Sequence, residues 1–136
     1  METEQTYYAG IDVSKGHLDV VLRPSGEYLE ASNDEQGIGS LVARLEEVDP
    51  ALVVLEATGG LEQTVAAALA LSGVPVAVAN PRQVRDFAKI MGCLAKTDKI
   101  DAAVLAHFAE AVRPEPRPLA DEDARELGML RRGVAL

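Results

Sequence analysis

The rhythm of apolar and polar positions divides the chain into a strand-rich first third and an alternating remainder. Residues 7–13 and 17–23 are rich in β-branched, aromatic and aliphatic side chains. The short Ser14-Lys15-Gly16 connection joins them as a predicted hairpin. A second turn at Pro24-Ser25-Gly26 leads into a third antiparallel strand over residues 27–32. The spacing then becomes helical. Ile38, Leu41, Val42, Leu45 and Val48 predict an amphipathic helix over 35–48, ended by Asp49-Pro50. Leu52-Val53-Val54-Leu55-Glu56 is an unbroken apolar run closed by an acid, the pattern of a strand buried on both faces of a parallel sheet. Thr58-Gly59-Gly60 turns the chain into a helix over 61–72, with Gly73 suited to the left-handed residue beyond its end. Residues 74–79 predict another buried strand. Pro81 then fits the first turn of a helix carrying Val84, Phe87, Ala88 and Met91 on one side. Ile100, Val104, Phe108 and Val112 mark a further helix, stopped by Pro114.

Three hairpin-linked strands followed by alternating helices and strands predict an α/β fold. Its sheet is mixed, with three antiparallel strands and then parallel ones, flanked by helices. This is the element order of a ribonuclease H-like domain. The domain is expected over residues 1–113, with a Pro-rich linker at 114–119. Residues 120–136 are expected to begin a helical segment leading to a further C-terminal domain. Only 4% of the 136 residues are aromatic, so the core must be built from Val, Leu, Ile and Ala. The apolar stretches are too short to span a bilayer, and no basic-then-apolar segment opens the chain. Cys93 is the single cysteine, which excludes an internal disulfide framework. A soluble cytoplasmic domain with no membrane partner is the expectation.

A net charge of −9 argues at first against nucleic acid as a partner. Its distribution weakens that objection: 13 of the 22 acids but only 3 of the 13 Lys and Arg residues precede residue 73. Arg82, Arg85, Lys89, Lys96 and Lys99 form a local basic run further on. A site that gathers carboxylates around cations also looks more acidic on paper than when loaded. By itself, the chain is expected to bind DNA weakly.

Four acids carry the candidate chemistry. Asp12 lies near the end of the first strand, and Glu56 ends a buried strand, where an unpaired charge is costly and where parallel sheets gather ligands. Asp98 and Asp101 open a helix three residues apart, so both project from one face. Each has an ordinary structural explanation as well. Asp12 fits a solvated strand end, Glu56 fits a partner for the Thr-Gly-Gly turn, and the helix pair fits capping by Thr97 or Asp98 with the dipole favouring acids. The predicted sheet nevertheless places all four at one edge. Two divalent cations about 3.5–4 Å apart can activate a nucleophile and stabilise the leaving oxygen of a phosphodiester, and carboxylates suit Mg2+. His17 and His107 are isolated in sequence, and His107 reads as a packed core-edge residue.

Four segments in order strengthen the reading: Gly-Ile-Asp-Val-Ser-Lys at 10–15, Glu-Ala-Thr-Gly-Gly at 56–60, Asn-Pro-Arg-Gln-Val at 80–84 and Lys-Thr-Asp-Lys-Ile-Asp-Ala at 96–102. Together they closely resemble the N-terminal domain of DEDD transposases of the insertion sequence 110 family, over roughly residues 7–112. The resemblance implies a Holliday-junction-resolvase-like, ribonuclease H-type fold. It assigns Asp12, Glu56, Asp98 and Asp101 as catalytic metal ligands, for Mg2+ or Mn2+ and two ions. It also implies DNA as substrate, a guide RNA, a homo-oligomer and a second domain carrying a serine used in strand cleavage. None of Ser14, Ser25, Ser32, Ser40 or Ser72 matches that serine, and Leu61 stands where the family often has an aromatic residue. Lys15, Thr58, Gly59 and Lys96 are candidates for weaker nucleic-acid contacts. Two alternatives stay open: a sugar-kinase or actin-like ATPase half-domain, and a non-catalytic ribonuclease H-like assembly module.

Overall fold

A computed structural model describes residues 5–93 and 96–116. Nine elements follow in the order β1 (Tyr8–Val13), β2 (His17–Arg23), β3 (Tyr28–Ser32), α1 (Glu35–Val48), β4 (Leu52–Glu56), α2 (Glu62–Leu71), β5 (Val76–Ala79), α3 (Pro81–Ile90) and α4 (Asp98–Val112). The strands form one sheet in the order β3-β2-β1-β4-β5. β1 to β3 pair antiparallel, while β1, β4 and β5 run parallel. This is the mixed ribonuclease H-like sheet that the element order predicts. The expected helix over 120–134 lies outside the described residues.

Both predicted hairpins form. Ser14 N–H donates to the His17 carbonyl at 2.9 Å, and Gly26, at φ +80°, donates to the Leu22 carbonyl at 2.7 Å. β5 starts at Val76, two residues later than expected, because Val74 N–H closes the end of α2 on the Leu69 carbonyl and Pro75 has no N–H for a ladder. Asp34 caps α1 by accepting from Gly37 N–H at 2.8 Å, and Asn80 caps α3 on Arg82 N–H at 2.7 Å.

The sheet is sandwiched between two helical layers. Ala9, Ile11 and Val13 of β1, with Leu18, Val20 and Leu22 of β2, pack against Ile38, Leu41 and Leu45 of α1 and Val65 and Leu69 of α2. On the other face Tyr8, Leu52, Val54 and Ala77 pack against Val84 of α3 and Leu105, Phe108 and Ala109 of α4. Helix α4 differs from expectation in detail. Its buried stripe is Ala102, Leu105, Ala106, Phe108 and Ala109, whereas Val112 is exposed at the end. Met91 likewise lies just beyond α3 and is exposed, because that helix stops before its stripe reaches it.

The small residues on α4 let it approach β1 very closely. A Cβ added at Gly10 would fall 2.2 Å from the Ala106 nitrogen and 2.3 Å from the Ala102 carbonyl oxygen. No side chain fits there. The helix is also tied down along its length. Arg23 bonds Glu110 at 2.6 Å, Lys99 sits 4.9 Å from the Tyr28 ring centre, and Arg113 sits 5.5 Å from that of Tyr8. Among the described residues no helix is long and apolar enough to cross a membrane.

Candidate metal centre

Side chains alternate across a strand, so Tyr8, Gly10 and Asp12 share one face of β1, and Leu52, Val54 and Glu56 share one face of β4. Tyr8, Leu52 and Val54 fix that face as the α4 side. Asp12 and Glu56 therefore emerge beneath α4 where their strands end. Ile11 pairs with Leu55 in the parallel ladder, so the two acids follow at matching positions. Thr97 starts α4 by accepting the Ile100 N–H at 3.1 Å, which leaves the Asp98 carboxylate free of that capping role. Asp98 and Asp101 then occupy the first turn of the helix, above the sheet acids.

The structure brings all four sequence-chosen acids together. Asp12 records the convergence: its carboxyl is pushed up to about 7, first by burial and then by the charges of Asp101, Asp98, Asp19 and Glu56. Glu56 is raised by burial, opposed by Lys96 and Arg85. Asp101 is raised by burial against the pull of Lys96, whose Nζ lies 3.8 Å from its Oδ2. A group of like charges at a sheet edge, with only oxygen donors, fits a hard divalent cation.

Sequence reasoning missed Asp19. It pairs directly with Asp12 across the β1–β2 ladder and with Glu30 across β2–β3. It is only 2% exposed, in a strand whose neighbours Leu18 and Val20 point to the opposite core. Carboxylate oxygens of Asp12, Asp19 and Asp98 lie within 4.8 Å of one another. His17, isolated in sequence, meets Asp19 and Glu30 in a second trio, its Nε2 at 3.4 Å and 3.1 Å from their oxygens. Hairpin register could have found Asp19, since a two-residue Lys15-Gly16 turn pairs Ser14 with His17 and so sets residue 12 opposite residue 19.

Glu62 was missed too, and it takes the structural role open to Glu56. Its Oε1 accepts from Thr58 N–H at 2.9 Å, Thr58 Oγ1 at 3.1 Å and Gly60 N–H at 3.1 Å. Burial would raise its carboxyl, but these bonds outweigh burial and hold it below the usual range. Thr58 is thus engaged within the β4–α2 turn, while Gly59 is exposed at φ +75°. Lys15 is exposed in the β1–β2 turn, and Lys96 is exposed beside Asp101. His107 packs edge-on against Phe87 at 5.0 Å, with burial, then Arg23, lowering its proton affinity.

From the acids a cleft of about 270 Å³ opens between α3 and α4. Glu56 and Asp101 lie along it with Arg85, Lys89 and Lys96, over apolar walls that include Val84 and Val104. The basic run of the sequence thus divides. Three of its members line this cleft, while Lys99 turns to Tyr28. A wider apolar groove of about 730 Å³ between α1 and α2 lies behind the sheet, away from this chemistry.

Comparison with known proteins supplies the context. Residues 9–134 match the profile of a family described as transposase, of the DEDD type of insertion sequence 110. The pilin gene-inverting protein of Moraxella lacunata is 25% identical over 131 residues, covering 91% of this chain and 41% of the relative. Its counterpart in Moraxella bovis matches to the same extent. The chain therefore spans about two fifths of the length of these relatives. Among solved structures, T. thermophilus RuvC in complex with Holliday junction substrate aligns with a TM-score of 0.56 and 19% identity. That alignment covers 83% of this chain and 100% of RuvC, and it shows a shared fold.

Proposed function

The chain belongs to the DEDD transposase family of insertion sequence 110, and from that premise we propose that Asp12, Glu56, Asp98 and Asp101 bind divalent metal for phosphodiester cleavage and strand transfer in DNA. The observation that carries this reading is the convergence of these acids on the half-buried Asp12 carboxyl, raised to about 7. Structural carboxylates are normally paired with donors; Asp12 instead faces other carboxylates. Mg2+ or Mn2+, two ions in this proposal, would supply activation of the attacking oxygen and charge neutralisation at the leaving oxygen.

The chain's own residues do the rest. The β1–α4 contact at Gly10 sets how closely the Asp98 and Asp101 turn approaches Asp12, so the donors are held in place before substrate arrives. Arg85, Lys89 and Lys96 along the cleft suit backbone phosphates on either side of the scissile bond. Lys15, Thr58 and Gly59 border the same edge and serve as further nucleic-acid contacts in this proposal. Burial of Glu56 and the apolar cleft walls limit the water that competes for the site.

For the whole protein we propose recombination of DNA, in keeping with the gene-inverting relatives and with a neighbour in fold bound to a Holliday junction. A guide RNA, a homo-oligomer and a C-terminal domain supplying the cleavage serine belong to the same proposal, as does a cytoplasmic location. Thermal melting with and without Mg2+ tests the site. We expect Mg2+ or Mn2+ to stabilise the chain and Asp12→Ala to remove the effect; unchanged melting at saturating metal would count against the reading. Stabilisation by ATP instead would favour a kinase-like half-domain.

A further inference from the structure

We propose that Asp19 is a fifth carboxylate ligand of the metal site, oriented for that role by Tyr28. The inference rests on the metal reading above and adds a residue to it.

Asp19 lies in an apolar strand, yet it points to the face of Asp12, its direct cross-strand partner. At 2% exposure its carboxylate has almost no access to water, and a group so placed ordinarily has donors on both oxygens. The bonding is one-sided instead. Oδ1 accepts from the Tyr28 hydroxyl at 2.5 Å and lies 3.4 Å from His17 Nε2. Among the described residues Oδ2 is buried with no hydrogen-bond partner. An oxygen left in that state beside other carboxylates is costly, and a cation among them relieves that cost.

The spacing agrees. Oxygens of Asp12, Asp19 and Asp98 fall within 4.8 Å of one another. A divalent ion with oxygen ligands at about 2.0–2.6 Å spans about 4.0–5.2 Å between opposite ligands, so one ion can bridge this trio. Tyr28 supplies the orientation. Its hydroxyl occupies Oδ1, and its ring lies under Lys99, the residue after Asp98 on α4. The same tyrosine therefore couples Asp19 on β2 to the helix turn that carries Asp98.

Mn2+ binding to the 136-residue chain, read by calorimetry and by the free-ion electron paramagnetic resonance signal, tests the assignment. The panel is wild type, Asp12→Asn, Asp19→Asn and Tyr28→Phe. Asparagine keeps an oxygen for Tyr28 but loses the charge, so Asp19→Asn should fold, melt no lower than wild type without metal, and bind Mn2+ roughly tenfold or more weakly. Tyr28→Phe should weaken binding by less, because it disturbs the orientation and leaves the ligand. Wild-type Mn2+ affinity in Asp19→Asn, alongside lost affinity in Asp12→Asn, overturns the role of Asp19 and leaves the metal site standing. Absence of Mn2+ binding in the wild type, or unchanged binding in Asp12→Asn, overturns both. Should Asp19→Asn fail to fold, unchanged Mn2+ affinity in Tyr28→Phe overturns the orienting role, and a weakened affinity supports it.

Discussion

Replacing Asp12 with asparagine should make the metal-free chain more stable, and increasingly so as pH rises. The folded carboxyl is raised from 3.8 to about 7 by burial and by four neighbouring charges. A folded acid with a raised value keeps its proton where the unfolded chain has already lost it. Its favourable contribution is therefore complete below about pH 3.8 and disappears as pH climbs to about 7. At about 1.4 kcal/mol per pH unit, the loss reaches about 4 kcal/mol by pH 8, of which about 1.5 kcal/mol is already gone at pH 5. Asp12 is only half-buried, and screening by water brings these to roughly 2 and 1 kcal/mol. Asparagine is neutral and of the same size, so it recovers that energy. With about 3–5 °C per kcal/mol for a chain of this length, the melting temperature should rise by roughly 6–10 °C at pH 8 and by a few degrees at pH 5. Circular-dichroism melts in a chelator at the two pH values measure this. Added Mg2+ should reverse the order, since only the wild type gains from it. A variant no more stable than wild type at pH 8, or a gain equal at both pH values, would show that the Asp12 charge is not destabilising in the folded chain.

Three further outcomes follow from the geometry. Gly10→Ala should cost about 3 kcal/mol or more in chemical denaturation, because its methyl group would meet the α4 backbone, and any folded fraction should lose its Mg2+ response as α4 is displaced. Glu62→Ala should cost about 2–4 kcal/mol by leaving the Thr58 and Gly60 donors without their acceptor. Because Glu62 is held below its usual range, that gap should be widest above about pH 4.5 and narrow as pH falls, which denaturation at pH 7 and pH 4 would reveal. Arg85→Ala with Lys89→Ala should weaken association with branched DNA and lower the slope of log affinity against log salt by about 2, as read by fluorescence anisotropy; an unchanged slope would remove these residues from the phosphate path.

The hydrophobic pattern revealed the nine elements of the described residues because each has one dominant pattern. β4 is apolar throughout, α1 repeats at three and four, and the hairpin strands are set by Gly and Pro turns. The places of the four candidate acids were legible because sequence locates strand ends and helix starts well, but it was their occurrence together, in segments that resemble the transposase family, that singled them out. What pattern reading missed depends on register and close packing. Asp19 looks like one polar residue in a strand until the ladder sets it opposite Asp12. Gly10 looks like part of a motif until Ala102 and Ala106 press α4 onto it, and the stripe of that helix was misjudged because alanine gives a weak apolar signal. Glu62 is an ordinary helix-start acid in sequence, and only its reach back to Thr58 and Gly60 shows that the turn does not use Glu56 as its acceptor.

Whether the acids at this sheet edge share divalent cations is open to direct measurement. Anomalous diffraction from crystals of the chain grown in Mn2+ tests it most directly. Manganese peaks bounded by carboxylates of Asp12, Glu56, Asp98 and Asp101, displaced by excess Mg2+, are the expected result. Saturating Mn2+ with no peak there, or with manganese only at His17 and Glu30, would contradict it.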